Sequence, residues 1–437
     1  MKTPPSEKYR SNGGLFADLL EWLDARLPLT AFWRNHFSEY RVPKNLNFWY
    51  FFGSLGLIVL SMQILTGIFL AMHYQPSAAP NADGLPAAFA SVEYLMRDVN
   101  WGWLIRTTHS TGASAFFLVV YLHIFRCLLY GSYRKPRELL WIVGVLIFYL
   151  LMAEAFTGYV LPWGQMSFWA AQVITDLASA VPFFGNSLAD WVRGDFSVGG
   201  ATLGRFFALH VIALPLALIL LIVLHLLALR EVGSSHPDAL SIHDPVETGE
   251  IGSIPFHPYY TVRELHAASV FFLVFFAVVF FAPEGGGTLL ESENFLPADP
   301  LKTPEYIEPV WYFTPFYSML RAMTRPLFGI DPKLLGVVSM NGAVAILFFL
   351  PWLDRSPVKS IRHRGAVFKL MLFLFVLAFL TLGFLGTKPP EHIVWGTIPG
   401  TSAAQTATFF YFFFFLSMPW WSKIVPQAPK TRNLRFK

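Results

Sequence analysis

Cysteine is nearly missing from this 437-residue chain, where Cys127 stands alone. That excludes an internal disulfide and any cluster held by several thiolates. Charge is scarce as well: 14% of the residues are charged against 54% hydrophobic, with a mean hydropathy of +0.48, which takes the chain out of the soluble class. No cleavable leader is evident, because residues 1–40 carry scattered charges and lack a clean apolar core. The one glycine run, Gly285-Gly286-Gly287, lacks the flanking lysine of a phosphate loop. A soluble domain is missing from the pattern too.

What the chain has instead is apolar runs. Eight of them, at roughly 46–73, 104–130, 139–161, 203–230, 261–282, 335–353, 366–386 and 405–422, are long enough for a hydrocarbon core about 30 Å thick. The sequence therefore predicts an all-α integral membrane protein of eight transmembrane helices, with both termini on one side. Lysine and arginine fix that side as cytoplasmic. They gather in the N-terminal arm (Lys2, Lys8, Arg10, Lys44), after the second span (Arg134, Lys135, Arg137), after the sixth (Arg355, Lys359, Arg362, Arg364) and in the tail (Lys423, Lys430, Arg432, Arg435, Lys437). The loop between the fifth and sixth spans is acidic, with Glu284, Glu291, Glu293, Asp299, Glu305 and Glu308. The formal charge of +4 thus reflects topology, and no nucleic-acid partner is expected.

A polar stretch, 231–258, divides residues 1–230 (four spans) from 259–437 (four spans and the acidic loop). Leu15, Phe16, Leu19, Leu20 and Leu23 recur at helical spacing beside Asp18, Glu21 and Asp24, as in a short helix lying on a lipid surface. The aromatic-rich segment 162–202 suits short interfacial helices.

Histidine carries the chemistry. His109 and His123 lie fourteen apart in the second span, and His210 and His225 fifteen apart in the fourth. Fourteen helical residues return a side chain to nearly the same face about 21 Å along. Two such helices facing each other offer two stacked imidazole pairs, one near each side of a bilayer. Imidazole is a common axial ligand of haem iron, and helix bundles hold cofactors between facing ligands. A single histidine in a span is more often a satisfied polar group, but two matched pairs favour ligation, and the first four spans then form a di-haem bundle. Gly53 and Gly67 in the first span are fourteen apart, as are Gly144 and Gly158 in the third. That interval favours room for a flat macrocycle over ordinary close helix packing. Arg106, Arg126 and Arg205 lie near the histidines, where they suit haem propionates or snorkel to headgroups.

These motifs, with Gly158-Tyr159-Val160-Leu161-Pro162-Trp163-Gly164-Gln165-Met166 and Pro309-Val310-Trp311-Tyr312, resemble cytochrome b of the quinol–cytochrome c oxidoreductases (cytochrome bc complex, respiratory complex III) over essentially the whole chain. The resemblance implies two non-covalent, bis-histidine haems b. His109 would share the outer haem with His210, and His123 the inner one with His225. It implies that quinol is oxidised near the outer haem, where one electron goes to a Rieske-type iron–sulfur protein and the other descends through both haems to quinone. Protons are released outside and taken up inside. It implies, further, a separate cytochrome c-type subunit, a homodimeric complex, surrounding membrane lipids and, with no transit peptide evident, a bacterial inner membrane. The outer quinone site falls at Gly158, Tyr159 and the Pro309–Tyr312 motif, with Tyr312 bonding or stacking on the quinone or anchoring at the interface. The inner site falls at Arg230 and at Arg263-Glu264, where the family often has histidine and a Lys-Asp pair.

Two departures stand out. Fifteen residues between His210 and His225 rotate the second ligand about 100° too far, an interval like that of the photosynthetic plastoquinol enzymes; Pro215 between them is placed to absorb the offset by a kink. The second residue of the outer motif, usually glutamate, is Val310, which cannot take a proton. Glu291 in the acidic loop is the favoured replacement and Glu154 in the third span the alternative, the bland reading of a span glutamate being a neutral, hydrogen-bonded acid. Two rivals remain at this point: a di-haem anchor relaying electrons to an attached dehydrogenase, and a transporter with histidine proton relays.

Overall fold

The computed structural model describes residues 14–34, 38–238, 252–394 and 396–424. Of the positions used above, Lys2, Lys8, Arg10, Lys430, Arg432, Arg435, Lys437 and the middle of the 231–258 stretch lie outside the described residues.

Apolar runs with few charges become helices because a helix satisfies its own backbone bonds, as a segment crossing hydrocarbon must. In chain order come α1 (Leu15–Asp24), α2 (Leu29–Trp33), α3 (Phe52–Ala71), α4 (Ala87–Arg97), α5 (Gly102–Tyr130), α6 (Glu138–Val160), α7 (Gln165–Leu177), α8 (Gly185–Arg193), α9 (Gly200–Ala208) and α10 (Leu214–Val232). They are followed by α11 (Tyr259–Phe281), α12 (Thr314–Ala322), α13 (Pro332–Leu353), α14 (Ala366–Gly386), α15 (Gly400–Leu416) and α16 (Met418–Trp421). Strand β1 (Arg41–Pro43) pairs antiparallel with β2 (Ser253–Pro255), tying the segment before α3 to the one before α11.

Seven helices among the described residues, not eight, are long and apolar enough to cross a membrane: α3, α5, α6, the continuous α9–α10, α11, α13 and α14. The expected eighth span is met by α15, only 17 residues long. The helix stops at Ser417 and restarts as α16 with Pro419 in its first turn, since proline cannot donate the bond that would continue it.

Helix α3 packs along α5, and α6 along α10, while α12, α14 and α15 pack together with α13 beside them. One core joins the two halves of the chain, running from Phe117 and Phe148 through Tyr312 and Phe316 to Phe414 and Phe415. At the end bearing the basic loops, buried Asp354 accepts from Tyr133 Oη at 2.6 Å and pairs with Arg364 at 2.6 Å. Outward, Leu216, Leu220 and Leu227 of α10 and Leu273 and Phe281 of α11 are exposed, the all-round apolarity that hydrocarbon covers. Helix α1 forms where its spacing indicates and buries none of its residues. In the aromatic segment, α7 tucks Phe168 inward while Phe183 and Trp191, at α8, stay exposed.

Candidate haem and quinone sites

His109 and His123 project from α5 towards His210, in the turn joining α9 to α10, and His225 on α10. The ring centroids of His109 and His210 are 6.1 Å apart with planes at 87°, and those of His123 and His225 are 6.4 Å apart at 63°. A metal midway between two imidazoles, with bonds of about 2 Å to nitrogens about 1.2 Å from their ring centres, sets the centroids about 6.4 Å apart. Both pairs match that spacing. Thr66 Oγ1 donates to the Met62 carbonyl at 2.7 Å, so towards His109 Nδ1, 2.9 Å away, it acts as acceptor. His210 Nδ1 donates to the Glu154 carbonyl at 2.9 Å. With Nδ1 carrying the proton in His109 and His210, their Nε2 atoms offer lone pairs across the gap; at the inner pair Arg126 Nη2 lies 3.4 Å from His123 Nδ1.

The fifteen-residue interval is absorbed by a π-helical turn, Leu209–Ala213, with His210 inside it. Such a turn inserts one extra residue into an α-helix, so fifteen residues cover the angle that fourteen cover in α5. This corrects the kink expected at Pro215. Proline is still involved, since Pro215 in the first turn of α10 has no N–H to close an α-type bond back to Val211.

Each paired glycine faces one imidazole. A Cβ on Gly53 would stand 3.2 Å from His123 Cε1, on Gly67 3.2 Å from His109 Cε1, and on Gly144 3.2 Å from His225 Cε1. On Gly158 it would overlap His210, lying 2.8 Å from Nδ1 and 2.9 Å from Nε2. The room these glycines leave is filled by the histidine rings themselves, so they set how closely α3 approaches α5 and α6 approaches α10.

At the acidic-loop end the Pro-Trp-Gly-Gln stretch has a definite task. Gln165 N donates to Leu296 O at 2.9 Å, Ala298 N to Trp163 O at 3.1 Å, and Ser167 N to Asn294 Oδ1 at 2.8 Å. A side chain on Gly164 would strike Asn294, whose Oδ1 would be 2.6 Å from its Cβ. The loop thus seated holds Glu291 6% exposed, its Oε2 accepting from Tyr159 Oη at 3.1 Å and Asn294 Nδ2 at 3.3 Å. Burial pushes the Glu291 carboxyl up to about 7, with the Glu308 charge adding to it against the hydrogen bonds from Tyr159 and Asn294. Tyr312 is buried, its ring parallel to Phe117 at 4.0 Å. Val310 is buried in the shared core just after the half-buried Pro309. Glu154 points elsewhere: its Oε1 is 3.2 Å from His210 Nδ1.

A cytochrome b/b6/petB family model matches residues 37–233, and a cytochrome b (C-terminal)/b6/petD model matches 297–423. The chain belongs to the cytochrome b family. It is 53% identical to a cytochrome b of Allochromatium vinosum over 94% of this chain and 96% of that one. It is 46% identical to a cytochrome b of Rickettsia typhi over 88% of this chain and 89% of that one. Among solved structures, a chain of a hyperthermophilic respiratory Complex III superposes with a TM-score of 0.81 at 37% identity, covering 92% of this chain and 98% of that one.

The cytochrome b family binds haem b, and the residues present fit that group. Among the described residues no group of three or more His, Cys, Asp or Glu is arranged to hold a metal ion, so two facing imidazoles suit an iron whose other ligands come from a macrocycle. Beside the His123–His225 pair, Arg126 Nε is buried without a hydrogen-bond partner among the described residues, as a propionate-binding group would be. Its Nη1 reaches Ser132 Oγ at 3.2 Å, which in turn meets Ser235 Oγ at 2.7 Å. Half-buried Arg106, three residues before His109 on α5, lines a cavity. Arg205 lies apart: it is exposed and bonds the Trp191 carbonyl. Near the inner pair, Arg230 lies over the Tyr40 ring at 4.0 Å, and Glu264 interacts with Ser54 and Arg230. Thr66, Ser54, Tyr40 and Asn294 were not singled out by pattern. Thr66 and Ser54 each adjoin a motif glycine, which was the available signal; Tyr40 and Asn294 carried none.

Proposed function

We propose that this cytochrome b is the quinol-oxidising core subunit of a Complex III-type quinol–cytochrome c oxidoreductase in a bacterial inner membrane. It would cross the membrane eight times, with both termini cytoplasmic, and carry two bis-histidine haems b. The observation that carries the reading is the pair of facing imidazoles at metal-bridging distance, each ring met by its own glycine. When bound, haem b supplies one-electron chemistry at two depths of the bilayer.

The chain's own residues do the rest. Quinol binds at the acidic-loop end between Tyr159, Pro309 and Tyr312, with the Tyr312 ring fixed by Phe117. Glu291 accepts a quinol proton: its carboxyl lies among apolar walls and is tuned near neutrality, where a general base works best. Tyr159 and Asn294 hold its Oε2 in place, which substitutes a loop carboxylate for the one missing at Val310. Glu154 orients His210 and takes no part in proton transfer. At the other end Arg230 and Glu264, with Ser54 and Tyr40, bind quinone and bring protons to it. A Rieske-type iron–sulfur protein and a cytochrome c-type subunit are separate chains that meet the acidic-loop end, and the complex is a homodimer.

The test is redox titration of the purified complex, parental and with His109, His210, His123 or His225 replaced. Loss of one titrating centre from the first two variants and of the other from the last two is expected. A parental protein without a b-type α-band, or a His225 variant that keeps both centres, would sink the reading.

A further inference from the structure

A buried carboxyl that accepts protons must also hand them on. We propose that Glu93 is the outlet carboxylate of this chain, relaying the proton that Glu291 takes from quinol to the solvent at the acidic-loop end. The proposal rests on Glu291 being the acceptor.

Both polar contacts of Glu291 Oε2 are side chains, and they lead in different directions. Tyr159 belongs to α6, inside the helix stack. Asn294 is anchored through Oδ1 by Ser167 N, and it also borders a cavity of about 270 Å³ lined by Phe89, Glu93, Arg97, Arg106, Pro162 and Phe295. Val92 and Met96 complete a wall that is mostly apolar, but Glu93, Arg97, Arg106 and Asn294 supply polar partners, and a space of that size with such partners holds water. An amide cannot pass a proton, but a water beside Asn294 can. Glu93 and Arg97 stand towards the solvent side, with side chains 31% and 76% exposed and Arg97 Nε 2.7 Å from Glu93 Oε2. Across the cavity Arg106 of α5 interacts with the Glu93 charge.

The charge balance explains why a carboxylate is needed there. Arg97 and Arg106 put two guanidinium groups on the wall, and like charges repel a migrating proton strongly where water is sparse. Among the described residues Glu93 is the one acidic group lining that space. In the step, the O–H bond of Glu291 breaks as one forms on a water beside Asn294, which joins Glu291 to the cavity, and the water chain gives up a proton to Glu93. Glu93 then loses it to solvent. Every group returns to its starting charge, and no electron moves. Around Glu291 the titratable groups are Tyr159, Tyr312 and Glu308; around Glu93 the charged ones are Arg97 and Arg106.

The intact complex with Glu93→Gln, Glu93→Asp or Glu291→Gln would be compared by quinol oxidation rate, solvent isotope effect, haem content and haem midpoint. Glu93→Gln should slow oxidation about a hundredfold, the modest end of acid–base contributions, with a raised isotope effect and full haem content. Glu93→Asp should recover most of the rate. A Glu93→Gln complex with parental rate and isotope effect overturns the outlet. So does a slowed complex whose isotope effect is parental and whose loss follows a shifted midpoint or missing haem, which makes Glu93 only a charge partner of Arg106. A slow Glu291→Gln beside a parental Glu93→Gln rejects the outlet alone. A parental Glu291→Gln rejects the acceptor, and the outlet with it.

Discussion

Replacing Gly158 by alanine puts a methyl group on α6 where the imidazole of His210 already lies. The new Cβ would stand 2.8 Å from Nδ1 and 2.9 Å from Nε2, with Cε1 nearer still, while ordinary contact begins at 3.4 Å. The ring would have to move by 0.5 Å or more. A metal–nitrogen bond tolerates a deviation of about 0.2 Å, so bonding cannot absorb the shift, and the ring is also held from behind by the Glu154 carbonyl. At Gly53, Gly67 and Gly144 the nearest ring atom would be 3.2 Å away, and a shift of about 0.2 Å suffices. Overpacking costs about 1–3 kcal/mol. Gly158→Ala is expected at the upper end, near a hundredfold loss in affinity for the outer haem, and the other three below about 1 kcal/mol. Haem-to-protein ratio and redox titration of the four purified variants measure this order. Gly158→Ala with both haems and an unshifted spectrum, or greater loss from Gly144→Ala, would refute the reasoning.

In the proposed mechanism Glu291 is a base, so its deprotonated form is the active one. The rate of quinol oxidation should rise with pH through about 7, and Glu291→Gln should lower the rate and abolish that limb in a pH–rate profile. Glu154→Gln should keep the limb but shift the outer haem midpoint in a potentiometric titration, because Oε1 lies 3.2 Å from His210 Nδ1 and such a partner tunes the ring. Deleting exposed Ile212 should convert the π turn to α-helix and restore a fourteen-residue interval with both haems retained; loss of the inner haem on titration would contradict the role given to that turn. Asp354→Ala leaves the Arg364 guanidinium buried without its carboxylate, which costs about 3–5 kcal/mol and should show as a lower midpoint in thermal unfolding of the complex.

Much of the site was legible because its signals are periodic. Fourteen residues are a near-whole number of helical turns, so the spacing of His109 and His123, and of the glycine pairs, places ligands and close approaches at two depths before any packing is known. Composition likewise settles that the chain is built of apolar helices. The sequence does not decide where a helix stops when the residues on both sides are apolar: the break at Ser417 and Pro419 ends α15 at Leu416, six residues before the 405–422 hydropathy run does.

What the sequence by itself determined is the set of helices and the depth of each histidine, since both follow from local turn geometry and transfer of side chains to hydrocarbon. Only the tertiary structure decided the rest. One inserted residue can be accommodated by a kink or a π turn, and which occurs depends on what His210 must face. Glu291 and Glu154 are both acids near the outer motif in sequence. The loop seated on Gly164 brings Glu291 to Tyr159, and the packing of α6 on α10 turns Glu154 to His210. Partnership between residues far apart in the chain is fixed by which surfaces pack, and no local pattern encodes it.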